Sequence, residues 1–204
     1  EPIIEIKQIQ RRDYQKAQSF AVEGMHLNWY LDQTWALALY SKYVWYMELN
    51  RATRAYSAYV DGEFAGVLLA DMKGETKRYR SIWRSILVKS FEILQWIAAG
   101  NGVGAYDHAN REMLSAFCKN HHPDGEIVFL AADPACKMKG MGSALLSALE
   151  AEVHGKQIYL YTDNACTYQF YERRGFEKSE EREILIDLGH KKIPLTCFLY
   201  SKTV

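Results

Sequence analysis

The chain has 204 residues, 49% of them hydrophobic, and its 25 basic and 25 acidic side chains cancel to a formal charge of zero. That length and apolar content suffice for one domain with a full core, two at most. The balanced charge recommends neither nucleic acid nor a membrane surface as the main partner, and no apolar run approaches the roughly 18 residues of a membrane span. The opening Glu1-Pro2-Ile3-Ile4-Glu5 lacks the basic start and long apolar core of a signal peptide, and the missing initiator Met reads as processing or as a deliberately chosen start. The four cysteines, at 118, 136, 166 and 197, show no paired spacing, so reduced thiols in a cytoplasmic protein are expected.

Ile4, Ile6 and Ile9 mark a short opening strand. Asp13 reads as the N-cap of a helix carrying Tyr14, Ala17, Ala21 and Val22, closed by Gly24. An aromatic link with His26 leads to a second helix from about Gln33, with Trp35, Leu39, Tyr43 and Tyr46 or Met47 on one face. Arg54 to Val60 and Glu63 to Met72 flank Asp61-Gly62, the strongest short-range hairpin signal. From Lys73 to Gly125 the periodicity is helical: Ile82, Ile86, Ser90, Ile93 or Leu94 and Ile97 mark one helix, and Ala109, Met113 and Phe117 another. Gly100 to Gly104 reads as a flexible linker between them, since no strand precedes it and no Lys-Ser/Thr follows.

The stretch Glu126 to Leu146 organises the rest. An apolar strand, Glu126 to Ala132, breaks at Asp133-Pro134 and runs through a basic glycine-punctuated loop into a helix that buries Met141, Leu145, Ala148, Leu149 and Val153. Backbone N–H groups at such a helix start, backed by the helix dipole, hold an anion, and Lys137 and Lys139 add full charge at the rim. The strand is apolar on both faces, so helices are expected over both sides of it. Ala131 and Ala132 leave room beside the backbone for a ligand arm that hydrogen-bonds as an added strand does. Beyond it come a strand from Gln157 to Thr162, a helix from Asn164 to Arg174, and a hairpin, Phe176–Ile186 with Ile193–Tyr200, turning near Gly189.

The run Pro134-Ala135-Cys136-Lys137-Met138-Lys139-Gly140-Met141-Gly142 resembles the acyl-CoA pyrophosphate loop of the GNAT superfamily of N-acetyltransferases, and Asn164, Tyr171 and Gly175-Phe176 resemble that superfamily's downstream run. The resemblance implies an α/β fold: a mixed, mostly antiparallel central sheet flanked by helices. Here it would carry a helical insert, about 73–125, between the third and fourth strands of a single domain spanning 1–204. It further implies that main-chain groups at Leu130, Ala131 and Ala132 hold the pantetheine arm of acetyl-CoA. Lys137, Met138, Lys139, Gly140, Met141, Gly142 and Ser143 would hold the pyrophosphate, and Asn164 would touch the arm or fix local geometry. Tyr171 would serve as general acid, and Glu126 falls where some histone-acetylating members keep a general base. Lys137 stands where Arg or Gln is usual, Ala132 where a larger β-branched residue is common, and Thr167 where Ala is usual.

The chemistry suits these residue types. An attacking amine must lose a proton, which a carboxylate or histidine can take directly or through water, and Glu23 and His26 rival Glu126 for that role. A strand N–H can stabilise the oxyanion, and a phenol with an ordinary pKa of about 10 can protonate the leaving thiolate. No covalent intermediate is required of Cys136 or Cys166. The expected activity is transfer of acetyl to a primary amine in a ternary complex; the alternative is a catalytically weak acyl-CoA-binding regulatory module. A homodimer is open. No metal site is expected, because Cys118, His121, His122 and His108 match no zinc spacing. Lys77, Arg78, Arg80, Arg84 and Lys89 read as a solvated basic face of the insert. If the third strand runs antiparallel to the fourth, the insert falls at the Glu126 edge, and the Gly189-His190 turn joins it there if the fifth strand is parallel to the fourth and the sixth antiparallel. The insert then walls the acceptor site and decides specificity, with Trp83, Trp96 and Tyr106 as candidate lining.

Overall fold

The computed structural model describes residues 3–98 and 102–204. In chain order it contains β1 (Ile4–Lys7), α1 (Tyr14–Gly24), α2 (Thr34–Arg51), β2 (Arg54–Val60), β3 (Glu63–Met72), α3 (Ile82–Ala98), α4 (Gly102–Phe117), β4 (Gly125–Ala132), α5 (Met141–Glu152), β5 (Gln157–Asp163), α6 (Gln169–Arg173), β6 (Glu177–Asp187) and β7 (Lys192–Thr203). The seven strands run in the order β1-β2-β3-β4-β5-β7-β6. The fold is mixed α/β with a mostly antiparallel sheet and helices inserted between the third and fourth strands. The chain divides into two compact units, one of residues 1–88 and 127–154, the other of 89–126 and 155–204.

In the first unit β1, β2 and β3 pair antiparallel, and the Asp61-Gly62 turn takes positive φ (50° and 80°) at both central residues, as a tight two-residue hairpin requires. Trp45 of α2 is fully buried, with edge contacts to Tyr14 of α1 at 5.5 Å and Phe129 of β4 at 5.2 Å. Asp13 precedes α1 as expected, but its side chain does not cap the helix. It turns inward and accepts the Tyr59 hydroxyl at 2.5 Å. The buried arc of α2 is Tyr43, Val44, Trp45, Glu48 and Leu49, whereas Trp35 and Leu39 are exposed. Apolar side chains surround this helix, so periodicity alone does not choose its inner face. The stripe expected to be buried on α3 is exposed at Ile82, Ile86, Ile93 and Leu94. Ile97 and Trp96 lie outside the described side chains. α4 already begins at Gly102, inside the stretch expected as a linker, whose first two residues lie outside the described ones.

α5 packs Met141, Leu145, Leu146 and Leu149 against the β1–β3 face. A Cβ on Gly66 of β3 would lie 3.0 Å from Met141 Cγ, 3.2 Å from Leu145 Cδ1 and 3.3 Å from the Ala131 carbonyl oxygen, so only glycine lets helix and strand approach this closely. β4 is not covered equally on its two sides. Ile127, Phe129 and Ala131 are buried, Val128 and Leu130 only partly, and Ala132 is exposed.

In the second unit α4 lays Ala109, Met113 and Phe117 on Cys197 and Leu199 of β7, with Tyr159, Tyr161 and Ile184 around them. Gly125 and Glu126 pair parallel with Ile158 and Tyr159. β5 pairs along its length with β7, not with β6; β6 pairs with the far side of β7 and therefore runs parallel to β5. This crossover corrects the expected place of the last turn. Asp163 pairs with Cys197, and β7 extends back to Lys192, so residues 188–191 lie beyond the Asp163 end of β5 and not at the Glu126 edge.

Candidate active site

The residues expected to bind or react fall in both units. In the first, β4 ends at Ala132, and the Asp133 amide donates to the Ala65 carbonyl of β3 at 2.8 Å. Asp133 then folds the chain over: its Oδ1 accepts the Ala135 amide at 2.9 Å and its carbonyl the Cys136 amide at 3.1 Å. Gly140 sits at φ 91°, a left-handed conformation that side chains rarely adopt, and directly precedes Met141, the first residue of α5. The Ala144 amide closes the first helical bond to the Gly140 carbonyl at 2.9 Å. The amides of Met141, Gly142 and Ser143 therefore precede any intrahelical acceptor. Lys137 and Lys139 are exposed beside them. Three amides, a helix dipole and two cations fit a phosphate-bearing group, and α5 at twelve residues is long enough to carry a useful dipole.

In the second unit Glu126 is 7% exposed, which excludes a solvated strand end, and Tyr159 donates its hydroxyl to Glu126 Oε2 at 3.3 Å. The chain beyond β5 is mostly turn: of the helix expected from Asn164 to Arg174 only Gln169–Arg173 is α-helical. The reason is Asp163, whose Oδ1 accepts the amides of Ala165 at 2.9 Å and Cys166 at 3.2 Å, a local turn that competes with helix. Asn164 exchanges two bonds with β7, its amide donating to the Thr196 carbonyl and its Oδ1 accepting the Thr196 amide, both at 3.0 Å.

Tyr171 lies edge-on to Phe170 at 5.2 Å and Phe176 at 5.8 Å. Burial, with Cys166 nearby, pushes its phenol well above the ordinary tyrosine range, so it keeps its proton. Cys166 is pushed up to about 12 by burial and by Asp163, which removes it as a nucleophile. Sequence reasoning missed the anchor of this turn. Asp163 is buried and its Oδ2 accepts the hydroxyl of Tyr106, from α4 of the insert, at 3.2 Å.

Trp83 belongs to the first unit, 81% exposed, and Tyr106 to the second. The basic face is largely engaged: Lys77 pairs with Asp71 at 2.5 Å, Lys89 with Glu92 at 3.0 Å, and Arg84 donates to the Tyr79 carbonyl at 2.5 Å. Of the rival bases, Glu23 is exposed and His26 stacks on Trp29 at 4.2 Å, both in the first unit. His108 lies 3.2 Å from Glu112, and His121 stacks on Phe117. Among the described residues no cluster of three or more His, Cys, Asp or Glu side chains could hold a metal, and no helix is long and apolar enough to cross a membrane.

Residues 96–178 match the family model of the GNAT acetyltransferase domain. A protein from Desulfovibrio desulfuricans described as an acetyltransferase of the GNAT family superposes with a TM-score of 0.55 at 14% identity, over 98% of this chain and 99% of the other. Agmatine N-acetyltransferase, in a mutant apo form, gives 0.60 at 12% identity over 98% and 99%. A structure from Corynebacterium glutamicum described as histone acetyltransferase HPA2 and related acetyltransferase gives 0.57 at 18% identity over 97% and 94%. No curated protein matches the sequence. The family model covers residues 96–178, and the similar structures share the fold, which supports the resemblance to the GNAT superfamily.

Proposed function

We propose that the protein transfers acetyl from acetyl-CoA to a primary amine by direct attack within a ternary complex. The observation that carries the reading is the start of α5. A left-handed Gly140, three first-turn amides and two exposed lysines are what a pyrophosphate needs. Lys137 through Ser143 would hold the phosphates, and main-chain groups at Leu130, Ala131 and Ala132 the pantetheine arm. The half-open side of β4 and the two small alanines support that second assignment. Tyr171, kept protonated by burial, is suited to give a proton to the leaving thiolate. Glu126, buried with a phenol on its Oε2, is suited to take a proton from the amine directly or through that hydroxyl. The two bonds of Asn164 to Thr196 support a geometric role for it.

The agmatine N-acetyltransferase among the similar folds makes small amines the first acceptors to test. Thiol release from acetyl-CoA would be followed across amines, amino acids and peptides, with Gly140→Asp as a loop variant. Turnover on at least one amine, with acetyl-CoA binding weakened at least tenfold in Gly140→Asp, is expected. Tight acetyl-CoA binding without turnover on any acceptor, and no effect of Tyr171→Phe, would establish the regulatory-module alternative instead.

A further inference from the structure

Wholly within the first unit, α1, α2 and the start of α3 enclose a groove of about 820 Å³, within the range of small-molecule sites. Its cations are Arg11, Lys42 and Arg84, and no aspartate or glutamate lines it. None of the three has a carboxylate partner among the described residues. The charge of Arg84 and Lys42 is instead set against aromatic faces. The Arg84 guanidinium lies 5.6 Å from the Tyr14 ring centroid and 5.9 Å from that of Tyr46, and Lys42 Nζ lies 5.8 Å from Tyr46. Trp83, 81% exposed, stands at the rim.

The third wall is fixed before any ligand arrives. The Tyr79 hydroxyl donates to Gln8 Oε1 at 2.8 Å, the Ser81 amide to Asn50 Oδ1 at 3.2 Å, and the Tyr79 carbonyl holds Arg84. A planar cation clamped over two rings cannot rotate to find a distant carboxylate, so it keeps its outward N–H donors for a guest. Gln15 and Gln18 on α1 add neutral donors and acceptors.

We propose that this groove is a second binding site, separate from the acetyl-CoA loop, for a small molecule combining a flat ring with a carboxylate or phosphate. The anion bonds Arg84 and Lys42, with Arg11 contributing charge, and the ring lies against Tyr14, Tyr46 and Trp83. Cations discriminate against amine-bearing guests, so the groove does not serve as the seat of a protonated acceptor amine. The inference stands apart from the acetyl-transfer reading, and either can fail alone.

Phenyl phosphate, benzoate and benzylamine would be titrated separately into the whole protein, by calorimetry and by tryptophan fluorescence. Saturable binding of an aromatic anion without binding of benzylamine is expected, and the tighter of the two anions identifies the headgroup. Lys42→Gln and Arg84→Gln should each weaken it about tenfold, the loss of one charged hydrogen bond, with acetyl-CoA binding unchanged. Trp83→Phe should remove most of the fluorescence response. Lys42→Gln, at a half-exposed position, keeps the test valid should Arg84→Gln not fold. Absence of saturable binding, equal binding of benzylamine, or unchanged affinity in both charge variants would overturn the proposal.

Discussion

Tyr171 and Tyr59 are both phenols held protonated, in different surroundings. Tyr171 has aromatic neighbours and a thiol but, among the described residues, no carboxylate on its hydroxyl, so under the proposed function its proton would be available to a leaving group. Tyr171→Phe keeps the ring packing and removes only that proton. kcat should fall about 10²-fold with little change in the KM for acetyl-CoA, measured by thiol release, since general-acid catalysis is worth roughly that much. An unchanged kcat would move the acid elsewhere. Tyr59 spends its proton on the buried carboxylate of Asp13. Tyr59→Phe strands that carboxylate and should cost about 1–3 kcal/mol in urea unfolding while leaving kcat alone. Asp13 stood out in the sequence as a helix cap, because capping is a local signal; the phenol that claims it lies 46 residues away.

At the scale of elements, the strand–loop–helix from Gly125 to Glu152 and the hairpin at Asp61-Gly62 were legible because each is specified by neighbours in sequence: apolar runs, turn residues, a glycine at a helix start. The order β5-β7-β6 was not, since which strand pairs with β5 depends on contacts some 40 residues apart that no local pattern encodes. The stripe on α3 misled for a related reason, as periodicity announces an apolar face but not whether anything covers it. Gly66 shows how a distant element sets the candidate site. It permits α5 to sit on β3, and α5 begins with the turn proposed to bind the pyrophosphate. Gly66→Val would press on Met141 and Leu145, and on the Ala131 carbonyl, which cannot swing aside. A stability loss of about 1–3 kcal/mol is expected. Acetyl-CoA affinity should fall further than in a variant of equal stability loss such as Tyr59→Phe. Equal losses in the two variants would mean that the placement of α5 does not govern binding.

At the scale of the whole molecule, burial pushes two described thiols and two described phenols the same way. Cys166 and Cys197 are pushed from 9.0 up to about 12, and Tyr56 and Tyr59 from 10.0 up to about 12, each first by desolvation. Desolvation penalises the thiolate or phenolate, so each neutral form persists in the fold where the unfolded chain has lost its proton. Between pH 9 and pH 12 the folded state therefore binds more protons than the unfolded state, and stability must fall as pH rises. The thiols act first, from about pH 9, and the phenols join from about pH 10; below pH 9 none of these four contributes a slope. Each group can add at most about 1.4 kcal/mol per pH unit within its window. Urea midpoints taken at intervals from pH 8 to pH 11 under reducing conditions should bend downward near pH 9 and steepen near pH 10. Cys197→Ala should be less stable at pH 8 because it opens a cavity beside Leu199, yet it should lose stability more slowly between pH 9 and pH 10. A stability that stays level to pH 11 would show that these thiols and phenols ionise as readily in the fold as in the open chain.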